Sequence, residues 1–183
     1  MSINRLFRKA FVLICLFSPW ALAELPGDSI YQLESQWLTQ ESKSFALSEL
    51  AGKKIVLSMT YTSCQHTCPT IVSNMQSIEK ELTDKQLDEV IFVLVSLMPD
   101  TDTPKALKAY AKKRSLKNWI LLSGSNDDVR SLAMALNVKY KSTGDGDIAH
   151  SNLITLLGTQ GTITHAVAGT SGELGVAIEY LQK

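Results

Sequence analysis

The chain has 183 residues, with 18 Lys and Arg, 18 Asp and Glu, three His, three Cys and 45% hydrophobic residues. That length suits one globular domain that buries its own core. Zero net charge excludes a strongly basic nucleic-acid binder, and three cysteines are too few for a disulfide-dense scaffold.

Residues 1–23 carry the three zones of a secretory signal. Arg5, Arg8 and Lys9 supply the positive start, Ala10 to Phe17 the apolar run, and Pro19 precedes Ala21-Leu22-Ala23, a small-x-small cleavage site. The apolar run is shorter than the ~20 residues a membrane helix needs. The expectation is therefore export to the periplasm, cleavage after Ala23 and a single domain over 24–183 with no permanent membrane span. Bulky Ile14 ahead of Cys15 argues against lipid attachment there. Cleavage removes three cations and no anion, so 18 basic residues become 15 against 18 acidic ones, a net of −3. Cys64 and Cys68 are then the only cysteines, in a compartment that oxidises thiol pairs.

Along the mature chain, residues 29–39 alternate loosely and predict an N-terminal strand or hairpin. Phe45 to Leu50 reads as a short helical turn ended by Gly52, and Ile55 to Tyr61 as a buried strand. Ile71, Met75, Ile78 and Leu82 recur at helical spacing. Val90 to Leu97 is the strongest strand signal. Asp102-Thr103-Pro104 starts a helix to about Arg114, with Leu107, Tyr110 and Ala111 on one face. Trp119 to Ser123 reads as a short strand, and Asn126 as the cap of a helix through Val129, Leu132, Ala133 and Leu136. Leu153 to Leu157 and Ile163 to Ala168 form a hairpin across Gly158 to Gly161, and Gly172 to Gln182 a last helix. Buried strands joined by helices, followed by a hairpin, predict an α/β fold with a mixed central sheet and helices on both faces. With the cysteines at the first strand-to-helix junction, the arrangement is thioredoxin-like.

Cys64 and Cys68 form a C-x-x-x-C pair. If both lie on the helix, positions i and i+4 share a face, with Cβ atoms about 5–6 Å apart. That spacing suits a disulfide or two bonds to one metal ion. A helix start also lowers a thiol pKa, and Pro69 fits an early helical position. A purely structural disulfide is the plainer reading, but it would close a very short loop and constrain the unfolded chain little.

Four segments carry a resemblance. Tyr61-Thr62-Ser63-Cys64-Gln65-His66-Thr67-Cys68-Pro69 resembles the Y-T-x-C-x-x-x-C-P signature of the SCO/SenC family of copper-handling, thioredoxin-like proteins. Ser96 to Pro104 is similar to its S-x-D-P-x-x-D-T-P segment, Trp119 to Gly124 to W-x-x-L-T-G, and Ala149-His150-Ser151 to D-H-S. The resemblance covers most of the mature chain. It implies that Cys64, Cys68 and His150 bind one copper ion, and that the protein delivers or prepares copper for cytochrome c oxidase assembly. The implied partner is a copper-receiving protein such as an oxidase subunit. Two soft thiolates favour Cu(I), and imidazole suits either oxidation state.

This chain departs from the family pattern at Ala149 and Met98, where the family has Asp, and at Gly158-Thr159-Gln160-Gly161 in place of an Asp-Pro turn. Gln65-His66-Thr67 lacks an acidic residue between the cysteines. His66 reads as an exposed residue with an auxiliary ligand role as the alternative, and His165 as an ordinary surface residue. Met59 and Met75 read as core, and Tyr61 and Thr62 as residues that shape the loop. The competing functional reading is a periplasmic thiol–disulfide oxidoreductase without obligatory metal. There Cys64 attacks a partner's disulfide and Cys68 resolves the mixed disulfide. A binding module with a structural disulfide is a third reading; no residue set around a single cysteine suggests a peroxidase.

Overall fold

The structure, a computed structural model, describes residues 24–144, 146–170 and 174–183. The expected signal segment, Cys15 included, lies outside the described residues. Strands β1 (Trp37–Thr39) and β2 (Ser44–Phe45) precede β3 (Lys54–Thr60), which leads into α1 (Cys68–Lys80) and the single turn α2 (Asp84–Leu87). Then come β4 (Val90–Ser96), α3 (Pro104–Arg114), β5 (Ile120–Gly124) and α4 (Asn126–Ala135). The chain finishes with β6 (Tyr140–Ser142), β7 (Ile148–His150), β8 (Leu153–Leu157), β9 (Ile163–Ala168) and α5 (Leu174–Gln182).

Seven strands form one sheet in the order β2-β1-β5-β4-β3-β8-β9. Strands β3, β4 and β5 are parallel, while β1, β2, β8 and β9 add antiparallel neighbours. The apolar runs of β3 and β4 are continuous because both of their faces are covered. On one face Val56, Phe92, Leu94 and Leu156 meet Ile71 and Met75 of α1, Leu107 of α3 and Leu181 of α5. On the other, Ile55, Leu57, Met59 and Val95 meet Val129 and Leu132 of α4 and the buried Ile30, Trp37, Leu47 and Leu50. This is the mixed α/β, thioredoxin-like architecture, with helices on both faces.

Local departures have local causes. Only Trp37–Thr39 of the 29–39 segment is strand; Ile30–Gln32 is a 3-10 turn, because the Ser29 side chain accepts the Tyr31 N–H. The α4 cap is Ser125 rather than Asn126, its hydroxyl accepting the Asp128 N–H. Gly161 turns the β8–β9 hairpin at φ +77°, and a Cβ there would stand 2.8 Å from the Tyr31 ring. His165 is half-buried on β9, its ring centroid 5.1 Å from that of Tyr180, so it is not an ordinary surface residue. The small β6–β7 sheet has no counterpart in the sequence reading, and it pairs Tyr140 with His150.

The register of β3 and β4 runs from Lys54 opposite Val90 to Thr60 opposite Ser96. Both chains therefore leave the sheet side by side. Residues 61–67 and 97–103 emerge together at the carboxyl ends of parallel strands, where open α/β sheets place their sites.

Candidate metal centre

Asp102 ties the two loops together. Its carboxylate, 1% exposed, accepts the Thr62 N–H at 3.0 Å, the Thr62 hydroxyl at 2.5 Å and the Ser96 hydroxyl at 2.7 Å. The Ser96 oxygen in turn accepts the Met98 N–H at 2.9 Å. The cap of α3 is Thr103, so Asp102 serves the cysteine loop instead of the helix. Sequence reading missed this role. The signal was there, in an Asp one place ahead of a Thr-Pro helix start that already had its cap.

Cys64 precedes α1 in the loop, and Cys68 is its first residue. The two cysteines therefore do not share a helix face, as the spacing had suggested. Pro69 is the reason. A helix running back to Cys64 would need a Pro69 N–H to bond the Gln65 carbonyl, and the proline ring would collide with that carbonyl. Both thiols are free in the structure and hydrogen-bond to each other.

Their environments differ. Cys64 is 7% exposed and Cys68 fully buried. Burial pushes the Cys64 thiol up, but hydrogen bonds from Cys68 and from the Cys68 and His66 backbone outweigh it. The net effect is a pKa below the ordinary thiol value. Burial, followed by the neighbouring Cys64, drives the Cys68 thiol far above it. The start of α1 thus favours thiolate at the cysteine lying ahead of the helix.

His150 stands beside Cys68, with Nε2 3.4 Å from Cys68 Sγ. Its Nδ1 lies 3.0 Å from the Ser151 carbonyl, which only accepts, so Nδ1 carries the proton and Nε2 offers its lone pair to the sulfur. Burial holds the imidazole below its ordinary pKa, partly opposed by that carbonyl. The carboxylate lost at Ala149 is therefore not needed to orient this ring. The Tyr61 ring meets His150 edge-on at 5.9 Å, and its hydroxyl donates to Asp147.

Other sequence candidates fall outside this contact. His66 is exposed, its side chain 78% accessible and Nε2 3.8 Å from Asp147 Oδ2. Met59 and Met75 are core residues. Met98 packs with Ile148 against Tyr61, Cys64 and Cys68. Among the described residues, no three His, Cys, Asp or Glu side chains already form a finished metal cluster. Donor chemistry nevertheless fits a soft ion: two sulfurs and an imidazole nitrogen with a free lone pair.

The family model SCO1/SenC matches residues 27–182. The chain belongs to the SCO1/SenC family. A Stutzerimonas stutzeri protein named for copper binding is 28% identical over 139 residues, covering 74% of this chain and 67% of its own. The chain spans 62% to 67% of the length of the first curated relatives it matches. A SCO1/SenC family lipoprotein of Bacillus anthracis is 29% identical with a TM-score of 0.74, over 82% of this chain and 93% of that one. Bradyrhizobium japonicum ScoI, solved with copper bound, shares the fold at 24% identity and a TM-score of 0.67, over 80% and 94% of the two chains. Within this SCO1/SenC chain, the cysteine pair and His150 lie where the end of β7 meets the start of α1. No helix among the described residues is long and apolar enough to cross a membrane.

Proposed function

We propose that this SCO1/SenC chain is an exported copper-binding protein that delivers or prepares copper for cytochrome c oxidase assembly. Cys64 and Cys68 would hold copper as thiolates, and His150 through Nε2. The observation that carries this reading is the 3.4 Å contact between His150 Nε2 and Cys68 Sγ, across 82 residues of sequence. The copper binding for which the Stutzerimonas relative is named supports this metal. Two thiolates with one imidazole favour Cu(I) and leave an open coordination position for transfer. Because Cys68 holds its proton firmly, metal binding must displace it, and affinity rises with pH.

Titration of the reduced protein with Cu(I) under a competing chelator tests the proposal. One-to-one binding is expected, abolished by Cys64→Ser or Cys68→Ser and weakened less by His150→Ala. A folded, reduced sample that takes up no copper ends it. Export is tested by mass spectrometry of the mature protein, expected to begin at Glu24.

The opposed shifts of the two thiols favour one second reading, thiol–disulfide exchange without metal. Cys64 thiolate attacks a partner's disulfide, forming a mixed disulfide and releasing one partner thiolate. Cys68 then gives its proton to the partner thiolate already released and attacks the Cys64 sulfur, releasing the second partner thiolate and leaving a Cys64–Cys68 disulfide; two electrons pass to the partner. Exchange that persists in His150→Ala with copper excluded favours this reading over the first.

A further inference from the structure

A groove of about 810 Å³ opens between the cysteine loop and α3. Cys64 lines it, with Ala106, Ala109 and Tyr110 giving an apolar wall and Lys113 and Arg114 charge; no Asp or Glu lines it. A second groove, of about 650 Å³, lies on the Met98 side and mixes Asp100 and Asp147 with Arg130 and Lys141. Of these two grooves, only the one that contains Cys64 carries charge of a single sign.

Basic residues commonly end helices, and Lys112, Lys113 and Arg114 all sit in the last turn of α3. That accounts for the charge, and packing against Tyr110 fixes where it sits. Tyr110 is 8% exposed, and Arg114 Nε is buried beside it. The Arg114 guanidinium carbon lies 5.6 Å from the centre of the Tyr110 ring. Lys113 and the rest of the Arg114 guanidinium line the groove, and a carboxylate, which takes paired N–H bonds from a guanidinium, complements them.

We propose that this groove docks an acidic peptide segment of the protein with which Cys64 exchanges copper or a disulfide, its carboxylates facing Lys113 and Arg114. The proposal deepens the reading above and rests on it only for the exchange at Cys64.

The test is metal-free, so its failure is distinct from failure of copper binding. Reduced full-length Cys68→Ser protein is mixed with a peptide whose single cysteine forms a disulfide with 2-thiopyridine. Cys64 thiolate attacks the peptide sulfur, a protein–peptide disulfide forms, and the pyridinethiolate leaves and takes a proton from water, giving an absorbance signal. A peptide with Glu and Asp beside its cysteine should react about tenfold faster than its Gln and Asn counterpart at low salt, with the preference falling as salt rises. Lys113→Gln should reduce that ratio and Arg114→Gln should bring it near one. Lys85→Gln, which removes the same charge outside the groove, should leave it unchanged. Equal rates for the two peptides, or an equal loss of preference in Lys85→Gln, would overturn the proposal. Should Arg114→Gln fail to fold, Lys113→Gln decides, and an unchanged ratio in it overturns the proposal.

Discussion

Cys64 and Cys68 are four residues apart, yet they occupy opposite chemical settings. Cys64 faces a cationic groove and collects hydrogen bonds that favour its thiolate. Cys68 is sealed beneath the loop, holds its proton and faces the His150 nitrogen. The pair is therefore asymmetric: one sulfur is placed to meet a partner and the other to be held in place. Spacing alone would have made them equivalent.

The largest effect expected from that asymmetry is in alkylation of the reduced, metal-free protein. Near neutral pH, Cys64 should react faster than Cys68 by more than roughly a hundredfold, because each pKa unit changes the thiolate fraction about tenfold. Peptide mapping after timed iodoacetamide labelling measures it, and comparable rates would break the comparison.

Asp102→Ala should come next. It leaves the buried Thr62 N–H and the Ser96 hydroxyl without their acceptor, at a cost of about 2–3 kcal/mol read as a lower urea midpoint. The cysteine loop loses its tether to β4 in the same variant, so the labelling advantage of Cys64 should shrink with it.

His150 gives the comparison a pH dependence. Its folded pKa is depressed below 6.5, so the unfolded chain binds a proton more readily than the native one. The stability this neutral imidazole contributes is complete above 6.5 and is lost as pH falls through the lower, folded value. The metal-free protein should weaken between pH 7 and pH 5, and His150→Gln should weaken less; parallel slopes for the two would refute the assignment. Smallest is Tyr61→Phe, which removes one hydroxyl near Cys64. The pH midpoint of Cys64 alkylation should move upward, with Cys68 unaffected.

Most of the fold was legible because its strands are buried on both sides. Val90–Ser96 announces itself as an unbroken apolar run, and α1 by apolar residues at helical spacing. The β6–β7 hairpin was not legible. Its residues Tyr140 to Ser142 are half-buried or exposed, and its turn carries Gly144 and Gly146, so no apolar alternation marks it. The helix start at Cys68 follows from Pro69, a signal that was present but was read only as compatible with a helix. Asp102 was hidden for another reason. A buried carboxylate bonded to groups 40 residues away has no local pattern.

The order of amino acids determined by itself that two sulfurs would stand at the end of a buried parallel strand, since apolar runs, helical periodicity and a proline act over a few residues. Which sulfur ionises, which imidazole nitrogen is free and where a cationic groove opens were decided only by tertiary structure. Those properties depend on burial and on hydrogen bonds between segments far apart in the chain, and distance in space is not written in the spacing of residues.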